Sequence, residues 1–177
     1  SIATDSALGT APASPTAGQL ALAAGTLATT ATFTLDSARG VAINTGGGTF
    51  NTAAATTLTL GGIVAGGANT FTKAGTGTLI LSGANAYTGT TAITAGVLNI
   101  QSNTALGTSA SGTTITTGAA LHLSGDLTIT GETLSLSSTG FANDGALRNL
   151  SGTSTWTGAL TLTPASKIQT DRDLLTL

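Results

Sequence analysis

The chain has 177 residues and a formal charge of −2 at pH 7, with 7% of residues charged, 3% aromatic, 25 Gly and neither Cys nor Met. A hydrophobic share of 40% excludes a disordered polar chain. Scattering of the five basic residues, Arg39, Lys73, Arg148, Lys167 and Arg172, excludes a phosphate-binding stripe, so no nucleic-acid partner is expected.

The absence of Cys removes disulfides, thiolate metal sites and a cysteine nucleophile together. Mean hydropathy is +0.35, yet no apolar run approaches the ~18 residues of a membrane-spanning helix, and a chain that does not span a membrane is expected. About a fifth of the residues are Thr, a β-branched type that suits a pleated strand.

Along the chain, the opening SIATDSALGTAPASPTAG has neither the basic start nor the apolar stretch of a signal peptide. Short alternations of apolar and small polar residues then follow one another. They are QLALAAG, TFTLDS, GVAINTG, TTLTLGG, GTLILSG, VLNIQS, AALHLSG, DLTITG, ETLSLSS and ALTLTP. Each reads as a period-two strand of about four to six residues closed by Gly, Asn, Ser or Pro. NDGAL, from Asn143 to Leu147, offers one hairpin-type turn, but most junctions are Ser-Gly, Thr-Gly, Gly-Gly or Ala-Gly.

Short strands with small-residue corners predict a parallel β-solenoid rather than a hairpin protein. In such a coil Leu79 and Leu81, Leu121 and Leu123, Leu134 and Leu136, and Leu160 and Leu162 point inward as stacked ladders. Internal echoes agree: SALGT at Ser6 returns as TALGT at Thr104, and Ala17–Ser37 is echoed by Gly118–Ser138. That is a long period of about a hundred residues, several coils per unit. Residues 1–177 are read as one solenoid segment.

Candidate chemistry is sparse. Of the acidic residues Asp5, Asp36, Asp126, Glu132, Asp144, Asp171 and Asp173, only TDRDL brings two close. Asp171 and Asp173 would share one face of a strand with Arg172 opposite, and a solvated solenoid end is the better reading than a carboxylate pair for glycoside chemistry. His122, between Leu121 and Leu123, should face outward as a surface residue, unprotected as a general base. The runs TGGGTFN and GGIVAGGANT lack the Asp of a calcium-binding roll and the Lys-Ser/Thr of a phosphate loop, so they read as corners. Tyr87 and Trp156 read as ladder or corner fillers rather than sugar platforms. No catalytic, cofactor-binding or metal-binding residue is assigned, no cofactor is expected, and the chain is not read as an enzyme.

The run Phe71 to Gly107, FTKAGTGTLILSGANAYTGTTAITAGVLNIQSNTALG, resembles the autotransporter-associated β-strand repeat of passenger domains in self-secreted surface proteins of Gram-negative bacteria. The features that carry it are Thr72-Lys73, Gly75 to Leu79, Leu81 to Asn85, Tyr87-Thr88-Gly89, Ala95-Gly96 and Ala105-Leu106-Gly107; Gly145 to Leu162 looks like a second segment common in those proteins. The resemblance implies a right-handed parallel β-helix, extracellular or at the cell surface, serving as stalk or scaffold. Without the leader and membrane barrel of that architecture, a passenger fragment or secreted subunit is implied. Lys73 lies in the motif at a strand edge, where it should be solvated or laid over a neighbouring turn.

At roughly 20 to 25 residues per coil, about seven to nine coils would make a rod on the order of 35 to 45 Å. Pro12 and Pro15 would blunt its start, whereas the apolar ending DLLTL is an open edge. The coil is therefore expected to continue, into the same polypeptide or into a second copy stacked head to tail as a filament. The alternatives are an adhesin that binds host or matrix ligands through its outward Thr/Ser face, and a carbohydrate-active β-helix enzyme.

Overall fold

The computed structural model describes residues 1–177, and it consists almost wholly of short strands that visit three faces in turn. Alternating Thr and aliphatic residues lay one side chain of each pair inward and the other outward, which a three-sided coil can use on every face. The first face is a seven-stranded sheet of Gly25–Thr29, Gly48–Thr52, Phe71–Ala74, Thr91–Ile93, Thr113–Ile115, Leu134–Leu136 and Leu160–Leu162. The second is a seven-stranded sheet of Phe33–Leu35, Thr57–Leu60, Thr78–Leu81, Gly96–Ile100, Ala119–Ser124, Leu147–Ser151 and Ile168–Thr170. The third is split into two three-stranded sheets, Thr16–Leu22 with Arg39–Ile43 and Val64–Gly66, and Thr128–Ile129 with Ser154–Trp156 and Leu175–Thr176.

The pairings along these faces are parallel and join one coil to the next. This is the expected solenoid, at the lower end of the expected coil number. Leu79 pairs with Leu98 and Thr128 with Thr155, so a coil is as short as 19 and as long as 27 residues. The NDG sequence turns no hairpin; it begins at the last residue of the 3-10 turn Phe141–Asn143, in a corner between first-face and second-face strands.

One cluster of 29 buried residues runs through the coils. On the second face the ladder stacks Phe33, Leu58, Leu79, Leu98 and Leu121 in register, and Leu147 and Ile168 continue it. Leu79, Leu81, Leu121, Leu123, Leu134 and Leu136 are inside as expected. Leu160 is only half-buried and Leu162 is 54% exposed, because they belong to the last first-face strand and no coil lies over them.

The hundred-residue echo is out of phase with the coil. Leu20 and Leu22 belong to the third face, whereas their sequence counterparts Leu121 and Leu123 belong to the second. The echo records a shared strand-and-corner pattern, which any face accepts, rather than a repeated position in space.

Gly96 shows why a corner demands glycine. It has φ +64°, and a Cβ there would run into the carbonyl oxygens of Gly75 and Gly77 in the coil before. The start of the solenoid is closed by residues 1–10. Ile2 bridges to Thr29 on the free edge of the first face, donating to the Ala28 carbonyl (2.8 Å) and accepting from Thr30 N–H (2.9 Å). The 3-10 turn Asp5–Leu8 follows, clasped by Arg39, which is 2% exposed. Arg39 donates to both Asp5 carboxylate oxygens (3.0 and 3.3 Å) and to the carbonyls of Leu8 and Gly9 (3.4 and 3.0 Å). The blunting expected of the prolines is thus done chiefly by a buried guanidinium holding a folded-back segment.

Arg39→Met should release this cap without unfolding the rod. Hydrogen exchange should show Ile2 and Thr30 losing at least about tenfold in protection, while Leu79 and Leu98 keep theirs. Equal loss at all four would show that the first coil and the rest open together.

Candidate functional site: interior polar groups and outer faces

The first-face strands that break apolar alternation carry several of the interior polar groups, Thr29, Thr52, Lys73, Thr91 and Thr113. Lys73 stands in a column between Phe50 and Ile93 and is wholly buried, not solvated at an edge. Its ammonium donates to the carbonyls of Ala74 (2.8 Å), Gly75 (2.7 Å) and Ala95 (3.1 Å), so three donors meet three acceptors at the corner where two coils stack. Burial pushes its pKa down to about 8, while the three carbonyls hold the charged form at neutral pH.

Beside it, Phe50, Phe71 and Tyr87 stack at centroid distances of 5.1 and 5.3 Å. Tyr87 Oη shares a 2.8 Å hydrogen bond with Thr91, and burial raises the phenol's pKa. Further along, Thr113 donates to Glu132 Oε1 (2.7 Å), and burial raises the Glu132 carboxyl above its ordinary range. Trp156 donates its indole N–H to the Glu132 carbonyl (2.8 Å) and is 1% exposed. Tyr87 and Trp156 are interior fillers, as expected, and neither is a surface platform.

Asn85 does for the third face what a strand does elsewhere. Its Oδ1 accepts from Val64 N–H (2.8 Å) in the coil before and its Nδ2 donates to the Ala105 carbonyl (2.6 Å) in the coil after. One side chain thereby ties three coils together where the backbone forms no strand.

On the outside, the second face carries one charged strand residue, Arg148, and the corner carboxylates that it draws in. His122 faces outward between Asn99 and Arg148 in the ladder, but it is half-buried and its Nε2 is shielded without a partner. Burial first, and the Arg148 charge next, push its pKa down to about 4, so it is a neutral, covered imidazole rather than a solvated surface residue. Arg148 is held by Asp171 through two bonds (2.9 and 2.8 Å) and by Asp144 (3.2 Å), and the guanidinium keeps Asp171 below the usual carboxylate range.

Asp171 and Asp173 do not form a pair on a strand. They lie in the bend between Ile168–Thr170 and Leu175–Thr176, where Asp173 has φ +59° and accepts from Gly152 N–H (2.8 Å). Each carboxylate is spent on a different group of the preceding coil, Asp171 on the Arg148 guanidinium and Asp173 on the Gly152 N–H, so the two do not converge on one site.

The first face is chemically the opposite. Its outward central column reads Thr26, Thr49, Thr72, Ala92, Thr114, Ser135 and Thr161, one rung per coil and without a charge. Rungs repeat at ~4.8 Å, so the column is an array of small hydroxyls interrupted once, at Ala92. The sequence shows the hydroxyls but not their alignment, which depends on coil lengths that vary.

The geometry defines a parallel β-solenoid with a packed interior and one neutral hydroxyl face. The stretch 71–100 matches the passenger-associated transport repeat, which bears out the autotransporter-type β-repeat that the sequence of this stretch resembles and supports a place at the cell surface or in the secreted medium. Among curated proteins, the chain is similar to the adhesin BmaC autotransporter of Brucella suis biovar 1 (strain 1330), 42% identical over 71 residues. That match covers 40% of this chain and 2% of the length of the relative. No solved structure matches the chain. No helix is long and apolar enough to cross a membrane.

Lys73 lies within the matched repeat, and its burial has a measurable consequence. From pH 8 upward the folded chain sheds the Lys73 proton while the unfolded chain, with its lysine near 10.5, still holds it. Stability should therefore rise with pH, by about 2 kcal/mol between pH 8 and about 10. Above that range the ionisation of Tyr87 in the unfolded chain pulls the other way. Urea unfolding at stepped pH should show the rise in the wild type and a flat profile in Lys73→Met; a flat wild-type profile would place the amine in water.

Proposed function

We propose that the chain is a stiff, non-catalytic spacer within the passenger of a self-secreted surface protein of a Gram-negative bacterium, holding other elements away from the cell or contributing to an extracellular fibre. The observation that carries this reading is the pair of seven-stranded ladders running the length of the chain, with the buried Lys73, Asn85 and Thr113 side chains spent on the chain itself. Backbone bonds along the axis and stacked aliphatics resist bending, each fully buried Leu or Ile contributing roughly 1.5–3 kcal/mol. Seven rungs at ~4.8 Å make a rod of about 35 Å.

The two ends differ in a way that favours growth at one of them. The first coil is closed by the Arg39–Asp5 clasp. The last leaves Leu162, Leu174 and Leu177 at 54–58% exposure beside unpaired strand edges, a surface shaped for another coil. Continuation into more coils of the same polypeptide satisfies that edge directly, whereas stacking of a second copy requires its clasp to open.

A second reading, adhesion through the neutral Thr/Ser face, is favoured by the adhesin that the chain resembles and by the seven-rung column.

Two measurements separate these readings. Displayed on cells, a variant with Thr72→Lys and Thr114→Lys should project and export like the wild type if the chain is a spacer, and should lose attachment to host matrix if the face is adhesive. For the ends, light scattering of the purified chain should show monomers in the wild type and growth into oligomers only when Arg39→Met opens the first coil. Monodisperse monomers in both, with Leu175–Thr176 protected from exchange, would sink stacking between copies.

A further inference from the structure

The third face is where the ladder breaks, and it breaks at one place. Leaving Val64–Gly66, bonding to the next coil continues: Ala86 N–H donates to the Val64 carbonyl (2.8 Å) and Thr88 N–H to that of Gly67 (3.3 Å). The coil after is still tied, by Asn85 N–H to the Thr104 carbonyl (3.2 Å) and Thr108 N–H to that of Tyr87 (2.9 Å). Between that turn and the strand Thr128–Ile129, a single hydrogen bond crosses this face, from Thr128 N–H to Asn103 Oδ1 (2.9 Å).

The strand consequently presents an open edge. Thr155 and Thr157 take the carbonyls of Leu127 and Ile129, so those two residues address the following coil. By the period-two alternation of a strand, Thr128 and Thr130 address the preceding one. There the Thr128 carbonyl and the Thr130 N–H have no partner in the chain.

In front of this edge lies a cleft of about 570 Å³, walled by Asn85, Asn103, Thr108, Ser109, Thr128 and Thr130, with Ala86 its one apolar residue and no ionisable group.

We propose that this cleft binds a neutral oligosaccharide. Its walls offer the hydroxyls of Thr108, Ser109, Thr128 and Thr130, which both donate and accept, and the donating end of the Asn103 amide, together with a free carbonyl and a free N–H, and sugar hydroxyls are the ligand groups that also do both. The absence of a cation in the walls disfavours phosphorylated, sulfated or uronic ligands, and the absence of apolar walls disfavours lipids and aromatic ligands. An extended peptide is poorly served, since the open edge belongs to a two-residue strand opposite a turn. Without an aromatic platform the affinity is in the mM range, which display in many copies on a cell would raise. The proposal rests on the cleft's geometry and is independent of the spacer reading, which survives a negative result.

The test is an amide-shift titration of the ¹⁵N-labelled chain with linear neutral tetrasaccharides of mannose, galactose and N-acetylglucosamine, and with tetragalacturonate as the charged control. Host-type N-acetyllactosamine and a bacterial O-polysaccharide fragment form two further arms that distinguish the source. A neutral sugar should shift Ser109, Thr128 and Thr130 and saturate in the mM range. Ala86→Trp, which fills the cleft from an exposed position, should weaken binding at least about tenfold while the rest of the spectrum stays unchanged. The proposal is overturned by no saturation up to about 20 mM with any neutral sugar. An equal response to tetragalacturonate, shifts confined to another face, unchanged binding by Ala86→Trp, or a response to an extended peptide alone would overturn it too.

Discussion

The structure depends on the parallel backbone ladder that runs along its axis. Once each coil hydrogen-bonds to the one beneath, a side chain has no choice of neighbour at ~4.8 Å: it sits on its counterpart. Columns of like residues follow, as in the Leu58, Leu79, Leu98, Leu121 and Leu147 series of the second face. The aromatic stack of Phe50, Phe71 and Tyr87 is not such a column, since Phe50 is in register with Lys73 and Phe71 with Gly48 and Thr91; the rings meet within stacking distance from positions out of register with one another. Corners must then pass over one another closely, and Gly96 is there because the carbonyls of the preceding coil leave no room for a Cβ.

Several polar residues enter this interior where they repair the ladder or are satisfied by it, whereas the buried Thr29 and Thr52 hydroxyls have no partner. Asn85 substitutes for backbone on the third face, and Lys73 gathers carbonyls of two coils at a corner. Ser138 does similar work at the longest corner, donating to the Ala119 carbonyl (3.0 Å) and accepting from Gly118 and Gly140 N–H (3.1 and 2.9 Å), so that the Phe141–Asn143 turn can bulge out without loosening the coil. Removing such a group leaves several buried partners unpaired at once, which costs more than a lost surface bond. Two ladders are kept intact for stiffness, and the third face, where side chains replace strands, is the one free to vary in shape.

Much of this was legible in the residues. Period-two bursts closed by Gly and Ser marked ten strands, and their rising count without hairpin turns marked a parallel coil. Passed over were first-face strands such as Gly48–Thr52 and Thr113–Ile115, whose inward positions include Thr52 and Thr113 and so break the apolar alternation. Lys73 was misplaced for the same reason: a charged residue in a Thr-rich strand signals water, and only the three carbonyls around it say otherwise. His122 was placed on the correct side but in the wrong medium, because Arg148, drawn in by Asp171 from the following coil, helps to cover it.

The residues by themselves determined the alphabet of the fold, strand and corner in a fixed alternation, together with its all-β class and the repeat at its centre. Period, turn chemistry and side-chain size are local properties, and local properties are written in order along the chain. Tertiary structure decided which strand lies on which face, how the hydroxyls of the first face align, where the third ladder fails and which ionisable groups are inside. Each of those depends on how many residues every corner consumes; coils range from 19 to 27 residues, and a difference of one or two within that range moves a side chain to another column or out of the core.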